Sequence, residues 1–340
     1  MLNLILALSA VFAFHGLGYR SKYSRARSWR IFLSSIRPMF RSFATLAAPM
    51  TIPVPREFSF SKCLTFLLRS PREILHRVEG GVVRKAIGVE GGPVLVEIQE
   101  RNNALDVRHH PGGITESQRK FIGQYIAQWF DLETDLKSFY ALARKDALLG
   151  GLVKQYHGYR IVGQPDLHES LTWAILGQQI NLGFAYTLKQ RFVEQYGHSL
   201  EHGGQRYFLF PEPSTIARLA PEQLLPLQFS RQKARYVVEV ARAFHEGRLS
   251  TESIRQLPFE DAKTELRKIK GIGNWTANYA LMKTFRFPQA FPAEDAGLHN
   301  AIRNLRGMRA KPTIEQVRRL FKKYKGWEAY ATLYFWRSLG

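Results

Sequence analysis

The chain has 340 residues, of which 45% are hydrophobic and 23% are charged, so it can bury a sizeable core and hold more than one domain. Its 49 Lys and Arg residues against 28 Asp and Glu residues give a formal charge of +21, which favours a polyanionic partner, nucleic acid above all; an anionic membrane surface or a merely basic solvated surface are the alternatives. Cys63 is the only cysteine, which excludes a disulfide framework, a cysteine-rich zinc site and a four-cysteine iron–sulfur cluster.

Residues 1–49 differ from the rest of the chain, because they carry seven Lys and Arg residues and no acidic residue. Their apolar run, 1–14, is shorter than the roughly 20 residues that span a bilayer. The pattern suits a signal-peptide core, an organellar transit peptide, or a non-native extension ahead of a true start at Met50. We expect disorder here in each case.

Residues 50–113 have the pattern of a small α+β domain. The segments 81–89, 93–100 and 104–110 are rich in β-branched residues and are separated by Gly-Gly and Asn-Asn turns, which predicts an antiparallel sheet. A short amphipathic helix is predicted over 61–70.

Residues 114–340 are predicted to be almost entirely helical, because apolar residues recur at i, i+3 and i+4. A loop or short hairpin is expected at 202–212. The predicted helices are 116–132, 134–145, 168–181, 184–197, 230–247, 259–269, 274–285, 294–305, 313–324 and 327–339.

A tight link between two of these helices contains Gly271, Ile272 and Gly273. So short a link requires a positive φ or a close approach at its glycines, and it leaves backbone N–H groups free at the start of the next helix. Those groups and the helix dipole favour an anion such as phosphate. Lys268, Lys270 and Lys283 add cations nearby, and a plain helical turn is the alternative.

Asp295 follows this link by 22 residues, after the Pro292 turn, and is placed at the start of the next helix. An acid here is favoured either as a helix cap or as a functional carboxylate. The neighbouring Glu294 is its rival, since adjacent helical side chains point about 100° apart and only one can face a site.

Four separated segments resemble bacterial DNA-3-methyladenine glycosylases of type II, within the helix-hairpin-helix DNA glycosylase superfamily. They are WAILGQQIN at 173–181, NWTANYALM at 274–282, FPAEDAGL at 291–298 and EAYATLYFWR at 328–337. The resemblance extends over 55–340 and implies a small α+β domain followed by two helical subdomains.

This resemblance implies that Asp295 stabilises the oxocarbenium-like sugar and orients water when an N-glycosidic bond breaks. It implies an aromatic pocket for the flipped alkylated base at Trp275, Tyr279 and Trp336, with Trp173 and Tyr334 behind it. Each of these aromatic residues, taken alone, could equally be core packing.

The resemblance also assigns residues to DNA contacts. Gly271, Ile272, Gly273 and Thr276 would bind phosphate, and the helix that begins with residues 230–233 would touch the backbone or be a solvated basic face. Gln179 and Ile180 are the candidates for the wedge that fills the gap left by the flipped base, although Gln179 is polar where the family has an apolar residue.

The expected function is excision of alkylated purines from damaged double-stranded DNA, which initiates base-excision repair. Trp275 stands where strand-cutting relatives carry a lysine, so we expect no lyase activity. We expect no cofactor or catalytic metal, with a structural monovalent cation at the hairpin left open, no membrane partner, a monomer, and a cytoplasmic, nucleoid-associated location with organellar targeting left open. The alternatives are a non-catalytic helix-hairpin-helix DNA-binding protein and a bifunctional glycosylase–lyase.

Overall fold

The computed structural model describes residues 50–110 and 112–340. The disorder predicted for 1–49 therefore lies outside the described residues. None of the described helices is both long and apolar enough to cross a bilayer.

The N-terminal part is a five-stranded antiparallel sheet with strand order β1-β5-β4-β3-β2. The predicted sheet is confirmed, and the structure adds β1 and β2, which are too short to show a clear pattern in the sequence. The strands are β1 (Met50–Pro53), β2 (Arg77–Glu79), β3 (Val82–Val89), β4 (Gly92–Arg101) and β5 (Ala104–His110).

The alternation of side chains along β4 explains why this sheet is covered on both faces. Val94 and Val96 pack into the main core, whereas Leu95 between them packs in a second cluster with Ala86 and Tyr207. Tyr207 belongs to a separate hairpin, β6 (Ser199–His202) and β7 (Gln205–Phe208), in the region predicted to be a loop or short hairpin.

The remainder is helical, as predicted, and encloses most of the hydrophobic core. Three shorter turns accompany the helices: a 3₁₀ segment at Pro221–Leu227, a π-turn at Leu281–Phe285 and a 3₁₀ turn at Lys322–Tyr324. The helices are α1 (Phe60–Leu67), α2 (Glu116–Trp129), α3 (Lys137–Ala143), α4 (Leu149–Gln155), α5 (Leu167–Gly177), α6 (Leu182–Tyr196), α7 (Pro213–Ala217), α8 (Arg231–His245), α9 (Thr251–Arg255), α10 (Phe259–Arg267), α11 (Asn274–Ala280), α12 (Ala296–Leu305), α13 (Ile314–Phe321) and α14 (Glu328–Arg337).

One helix boundary differs from the prediction in a way that matters for the site. The helix predicted over 168–181 ends at Gly177, because Gln178 is extended and Gln179 has a φ of +56°. Asn181 then caps α6, its Oδ1 accepting the N–H of Phe184 at 2.9 Å. The segment 178–181 is therefore a loop rather than the last turn of α5.

Candidate active site

The turn between α10 and α11 has the geometry that the sequence predicts at its first glycine. Gly271 has a φ of +101°, and a Cβ added there would lie 2.3 Å from Cγ of Tyr236. Both the backbone conformation and the close packing on α8 therefore require glycine at this position.

Gly273 is different, because nothing in the protein demands that it be a glycine. Its φ is −84°, and a Cβ added there would meet nothing within 4 Å. It is the N-cap of α11, with no side chain to accept the N–H groups of the first turn. The result is an open, exposed helix start whose free N–H groups and positive dipole end suit an anion.

The side chains of Ile272 and Thr276 point into the hairpin instead of outward. They are 4% and 2% exposed, and the Thr276 hydroxyl accepts from Nε2 of Gln178 at 3.1 Å. The same amide nitrogen donates to the Gly271 carbonyl oxygen at 3.3 Å. The backbone N–H of Ile272 donates to the carbonyl oxygen of Ile269 at 3.1 Å, so Thr276 is the one of the two whose backbone N–H stays open to the predicted phosphate.

Asp295 is both a helix cap and a residue of a large cleft. As the N-cap of α12, its Oδ1 accepts the N–H of Leu298 at 2.7 Å. Two indole N–H groups also donate to this carboxylate: Trp336 to Oδ1 at 2.7 Å and Trp275 to Oδ2 at 3.0 Å. The two roles that the sequence left as alternatives are thus combined in one side chain.

Glu294 is held in a different arrangement. Nδ2 of Asn274 donates to its two carboxylate oxygens at 2.9 and 3.1 Å, and Nη2 of Arg318 lies 3.3 Å from Oε1. The arginine offsets the charge of Glu294. Asp295 has no such ion pair among the described residues, so it is the carboxylate whose charge is available to the cleft.

The helix α11 fixes the loop that carries both carboxylates. Asn274 and Trp275 bond to Glu294 and Asp295, as above, and Oδ1 of Asn278 accepts the N–H of Phe291 at 2.9 Å. Three side chains of one helix therefore determine where Asp295 lies relative to the hairpin.

The aromatic residues predicted for the base pocket do come together. Trp275 and Tyr279 stack with ring centroids 5.3 Å apart and an interplanar angle of 24°, and the Tyr279 and Trp336 rings are 6.4 Å apart. Trp173 lies behind them, its Nε1 donating to the Tyr279 hydroxyl at 3.0 Å. Tyr334, by contrast, is fully buried and packs against Tyr159, a residue of the cleft wall.

Trp173, Trp275, Tyr279 and Trp336, but not Tyr334, line one cleft of about 1350 Å³, which is ample for an extruded nucleotide. Asp295, Trp275, Tyr279 and Trp336 lie on its wall together with Gly273 of the hairpin. An anion-binding helix start, a carboxylate and an aromatic surface therefore share one cavity.

Comparison with known proteins identifies this combination. The chain is 40% identical over 293 residues to DNA-3-methyladenine glycosylase of Bacillus subtilis, covering 85% of this chain and 97% of that protein. The model of the HhH-GPD superfamily of base excision DNA repair proteins matches residues 172–326, and that of the 8-oxoguanine DNA glycosylase N-terminal domain matches residues 75–171. The chain belongs to the HhH-GPD superfamily of base excision DNA repair proteins.

Solved structures agree with the HhH-GPD fold. The 3-methyladenine DNA-glycosylase of Archaeoglobus fulgidus superposes with a TM-score of 0.74 at 23% identity, covering 85% of this chain and 97% of that one. An 8-oxoguanine glycosylase/lyase of Clostridium acetobutylicum, crystallised with double-stranded DNA, gives 0.66 at 20% identity, over 82% and 91% of the two chains. At these identities the likeness establishes the fold alone.

The loop 178–181 forms part of the rim of the HhH-GPD cleft. Gln179 is exposed, whereas Ile180 packs partly against the cluster of Trp173 and Tyr279. Leu182, 51% exposed on the same rim, is an apolar candidate for the wedge that the sequence did not suggest.

Lys233 supports this loop, which corrects the prediction of a backbone-contacting or solvated basic face at this one position, while Ser230, Arg231 and Gln232 are exposed. It is 9% exposed, and its Nζ donates to the carbonyl oxygens of Ile175, Leu176 and Gln178, the last at 2.6 Å. A cation at these carbonyls stabilises the C-terminal end of α5. Burial lowers the pKa of Lys233 to about 8.

Lys283 is also placed differently from the prediction, which grouped it with the cations of the hairpin. It is 2% exposed, lines the cleft, and donates from Nζ to the carbonyl oxygen of Val162. Burial lowers its pKa well below the usual lysine value, with Arg69 and Arg286 adding repulsion. Sequence periodicity gave no sign that this amine and Arg69 would line the cleft.

Proposed function

We propose that the chain is a monofunctional DNA glycosylase that flips alkylated purines of the 3-methyladenine type out of double-stranded DNA and excises them. The observation that carries this proposal is the Asp295 carboxylate, held by the indole N–H groups of Trp275 and Trp336 on the wall of the aromatic cleft. The 40% identity to a DNA-3-methyladenine glycosylase supports the same substrate class.

The reaction would use Asp295 as a fixed negative charge. The bond between C1′ of the sugar and the base nitrogen breaks, and its electron pair leaves with the base. Positive charge develops on the sugar ring, where the carboxylate stabilises it. Water then adds to C1′ while Asp295 accepts a hydrogen bond from it, and its proton passes to the solvent, which leaves a hydroxyl on C1′. Base and abasic strand are the two products.

The aromatic rings would favour alkylated bases. An electron-poor or cationic base stacks well on electron-rich rings, and Trp275, Tyr279 and Trp336 supply three of them close to Asp295. Since a base inside the duplex cannot reach this cleft, the base has to be flipped out. Gln179, Ile180 or Leu182 would fill the space that it leaves.

The hairpin would hold the DNA backbone next to the flipped nucleotide. The backbone N–H groups of Gly271 and of residues 273–276, at the open helix start, supply the donors, in a chain of formal charge +21. A monovalent cation on the hairpin carbonyls would have to share Gly271 with the amide of Gln178. We propose no catalytic metal, a monomer without a membrane partner, and a cytoplasmic location on the nucleoid.

We propose that the enzyme does not cut the strand. Trp275 cannot form a Schiff base, and the Lys283 amine is engaged by the Val162 carbonyl deep in the cleft wall. Borohydride reduction during turnover tests this: no covalent enzyme–DNA adduct is expected. A trapped adduct that disappears in a Lys283→Met variant would instead identify a bifunctional glycosylase–lyase.

Release of free bases from methylated double-stranded DNA, separated by chromatography, tests the activity. The expected result is release of 3-methyladenine with an intact abasic strand. Tight binding of the same DNA without any base release would support the non-catalytic DNA-binding alternative and contradict our proposal.

A further inference from the structure

Arg69 follows α1, in the N-terminal part of the chain, yet it lines the same cleft as Asp295. Arg69 is far along the chain from the hairpin and from the loop that carries Asp295. Among the described residues, its side chain forms no hydrogen bond with either. Its presence means that the wall of the base cleft is built partly by the α+β region, and that this wall carries a guanidinium.

The guanidinium is held in one orientation. Its Nε donates to the hydroxyl of Tyr186, a side chain that is only 3% exposed. Its Cζ lies 3.9 Å from the centroid of the Phe66 ring, 5.4 Å from that of Tyr186 and 5.9 Å from that of Trp173. Because the rings hold the plane of the guanidinium and Nε is bonded to Tyr186, the two Nη groups form the free end of the Arg69 side chain.

This free end has no partner within the described residues. No carboxylate there lies within 4 Å of Arg69, and no acceptor is bonded to either Nη group. The nearby Lys189 is different, because its Nζ lies 2.8 Å from Glu73 and 3.8 Å from Glu169. Arg69 is solvent-accessible and lines the cleft, so its donors are available to a ligand there.

The amine of Lys283 lies on the same Phe66 ring, but it is already bonded to the Val162 carbonyl, so Arg69 is the group of this wall with free donors. Nζ of Lys283 lies 4.4 Å from the centroid of the same Phe66 ring. The cleft therefore offers an anionic group, Asp295, and a guanidinium, Arg69, whose Nη groups are uncompensated hydrogen-bond donors with positive charge. A base inserted here would meet stacking rings, a carboxylate at the sugar and cationic donors at the wall.

We propose that Arg69 is a specificity-determining residue, whose Nη groups donate to an exocyclic carbonyl oxygen of the flipped purine. The proposal rests on the proposed glycosylase function. Arginine is suited to this role because its planar fork presents two parallel donors to an acceptor edge. The same charge opposes bases that carry a formal positive charge, since like charges repel at close range.

The consequence is a ranking of lesions by chemistry rather than by size. A neutral 6-oxopurine such as hypoxanthine gains the hydrogen bonds of Arg69. A neutral base without the carbonyl, such as ethenoadenine, gains none, and the cationic 3-methyladenine nucleotide meets repulsion. Stacking on Trp275 and Tyr279 favours all three, so Arg69 adjusts the ratio among them.

Single-turnover excision of these three lesions by the full chain and an Arg69→Met variant tests this proposal. Methionine keeps the apolar stem but removes the donors and the charge. We expect hypoxanthine release to fall about tenfold or more, as for the loss of a hydrogen bond to a charged group. Ethenoadenine release should fall much less, and 3-methyladenine release should rise.

Two further variants locate the effect. Arg69→Lys keeps the charge without the fork, so we expect it to recover hypoxanthine release only in part and to leave 3-methyladenine release at the wild-type rate. Tyr186→Phe removes the hydroxyl that orients Nε and should lower the hypoxanthine rate in the same direction by less.

A uniform fall for all three lesions would overturn the proposal, since it would place Arg69 on the DNA backbone or in the support of the fold. Unchanged ratios would overturn it as well. A wild-type chain that releases none of the three lesions would contradict the proposed glycosylase function itself, which is a distinguishable result. Thermal melting of each variant identifies a folding defect, which would lower all three rates together.

Discussion

Trp336 Nε1 lies 2.7 Å from Asp295 Oδ1, so one side chain both lines the base cleft and positions the carboxylate. Trp275, on α11, also lines the cleft and positions the carboxylate, with its Nε1 3.0 Å from Asp295 Oδ2. The aromatic surface and the anionic group are therefore one hydrogen-bonded unit. This coupling explains why these positions carry tryptophan, which alone among the apolar aromatic residues offers a ring and an N–H donor.

A Trp336→Phe variant tests this coupling. Phenylalanine retains an aromatic face but cannot donate to Asp295, so the carboxylate loses one of its three donors and its fixed rotamer. We expect the single-turnover excision rate to fall about tenfold, as for one lost hydrogen bond to a charged group, with little change in DNA affinity. Trp327→Phe is the matched control, because Trp327 packs on Phe139 and Tyr330 and does not bond to Asp295. Equal rates in the two variants would contradict the coupling.

The two glycines of the hairpin provide a second test, because they differ in what constrains them. Gly271→Ala forces a side chain into a φ of +101° and against Tyr236, so the free energy of unfolding should fall by about 2 kcal/mol or more. Gly273→Ala meets nothing in the protein and should leave stability nearly unchanged. Its methyl group would, however, occupy the space of a phosphate, so DNA affinity should fall about tenfold.

Denaturant titration and DNA-binding isotherms at fixed salt distinguish these outcomes. Unchanged DNA affinity in Gly273→Ala would refute the phosphate grip at this position.

The part of the site that the sequence predicts is the part held by residues close together along the chain. The hairpin, Asp295 and the aromatic residue Trp275 lie within some 25 positions, and one helix orients all three. Local signals of turn, cap and periodicity are sufficient there.

The residues that the sequence does not predict act over long separations. Arg69 bonds to Tyr186, 117 positions away, and Lys233 bonds to the carbonyl of Gln178, 55 positions before it, at the end of α5. Lys233 reads as a solvated or phosphate-binding residue until the end of α5 is seen beside it. The predicted end of α5 is also wrong, because the Asn181 cap and the positive φ of Gln179 interrupt a pattern of residues that is otherwise helical.

Stability should depend on pH through His168, which is 1% exposed and lies 5.6 and 5.5 Å from the rings of Phe210 and Phe244. Burial lowers the pKa of this imidazole to about 4. Between pH 6.5 and 4 the unfolded chain binds a proton that the folded chain does not, so folding stability is lost as the pH falls through this window. The loss should reach about 3 kcal/mol.

Urea unfolding at pH 7, 5 and 4 measures this dependence. A His168→Phe variant keeps an aromatic ring between Phe210 and Phe244 and should show a flatter profile across the same window. A second buried group, Glu73, titrates at lower pH than His168. Burial alone would raise the pKa of this carboxyl, but the charge of Lys189 lowers it to about 2. The folding stability that Glu73 contributes is therefore lost mainly at a lower pH than that of His168. Parallel profiles for the two proteins would show that His168 is not the titrating group.

The role of Asp295 is tested most directly by an Asp295→Asn variant in single-turnover excision of 3-methyladenine from methylated duplex DNA. Asparagine is as good an N-cap as aspartate, so α12 should stay intact while the negative charge is removed. We expect the excision rate to fall by about a thousandfold, with DNA affinity retained. Glu294→Gln, the adjacent carboxylate engaged by Asn274 and Arg318, is the matched control and should retain most of the activity. Near-normal excision by Asp295→Asn, or an equal loss in Glu294→Gln, would contradict the assignment of Asp295 as the group that stabilises the sugar.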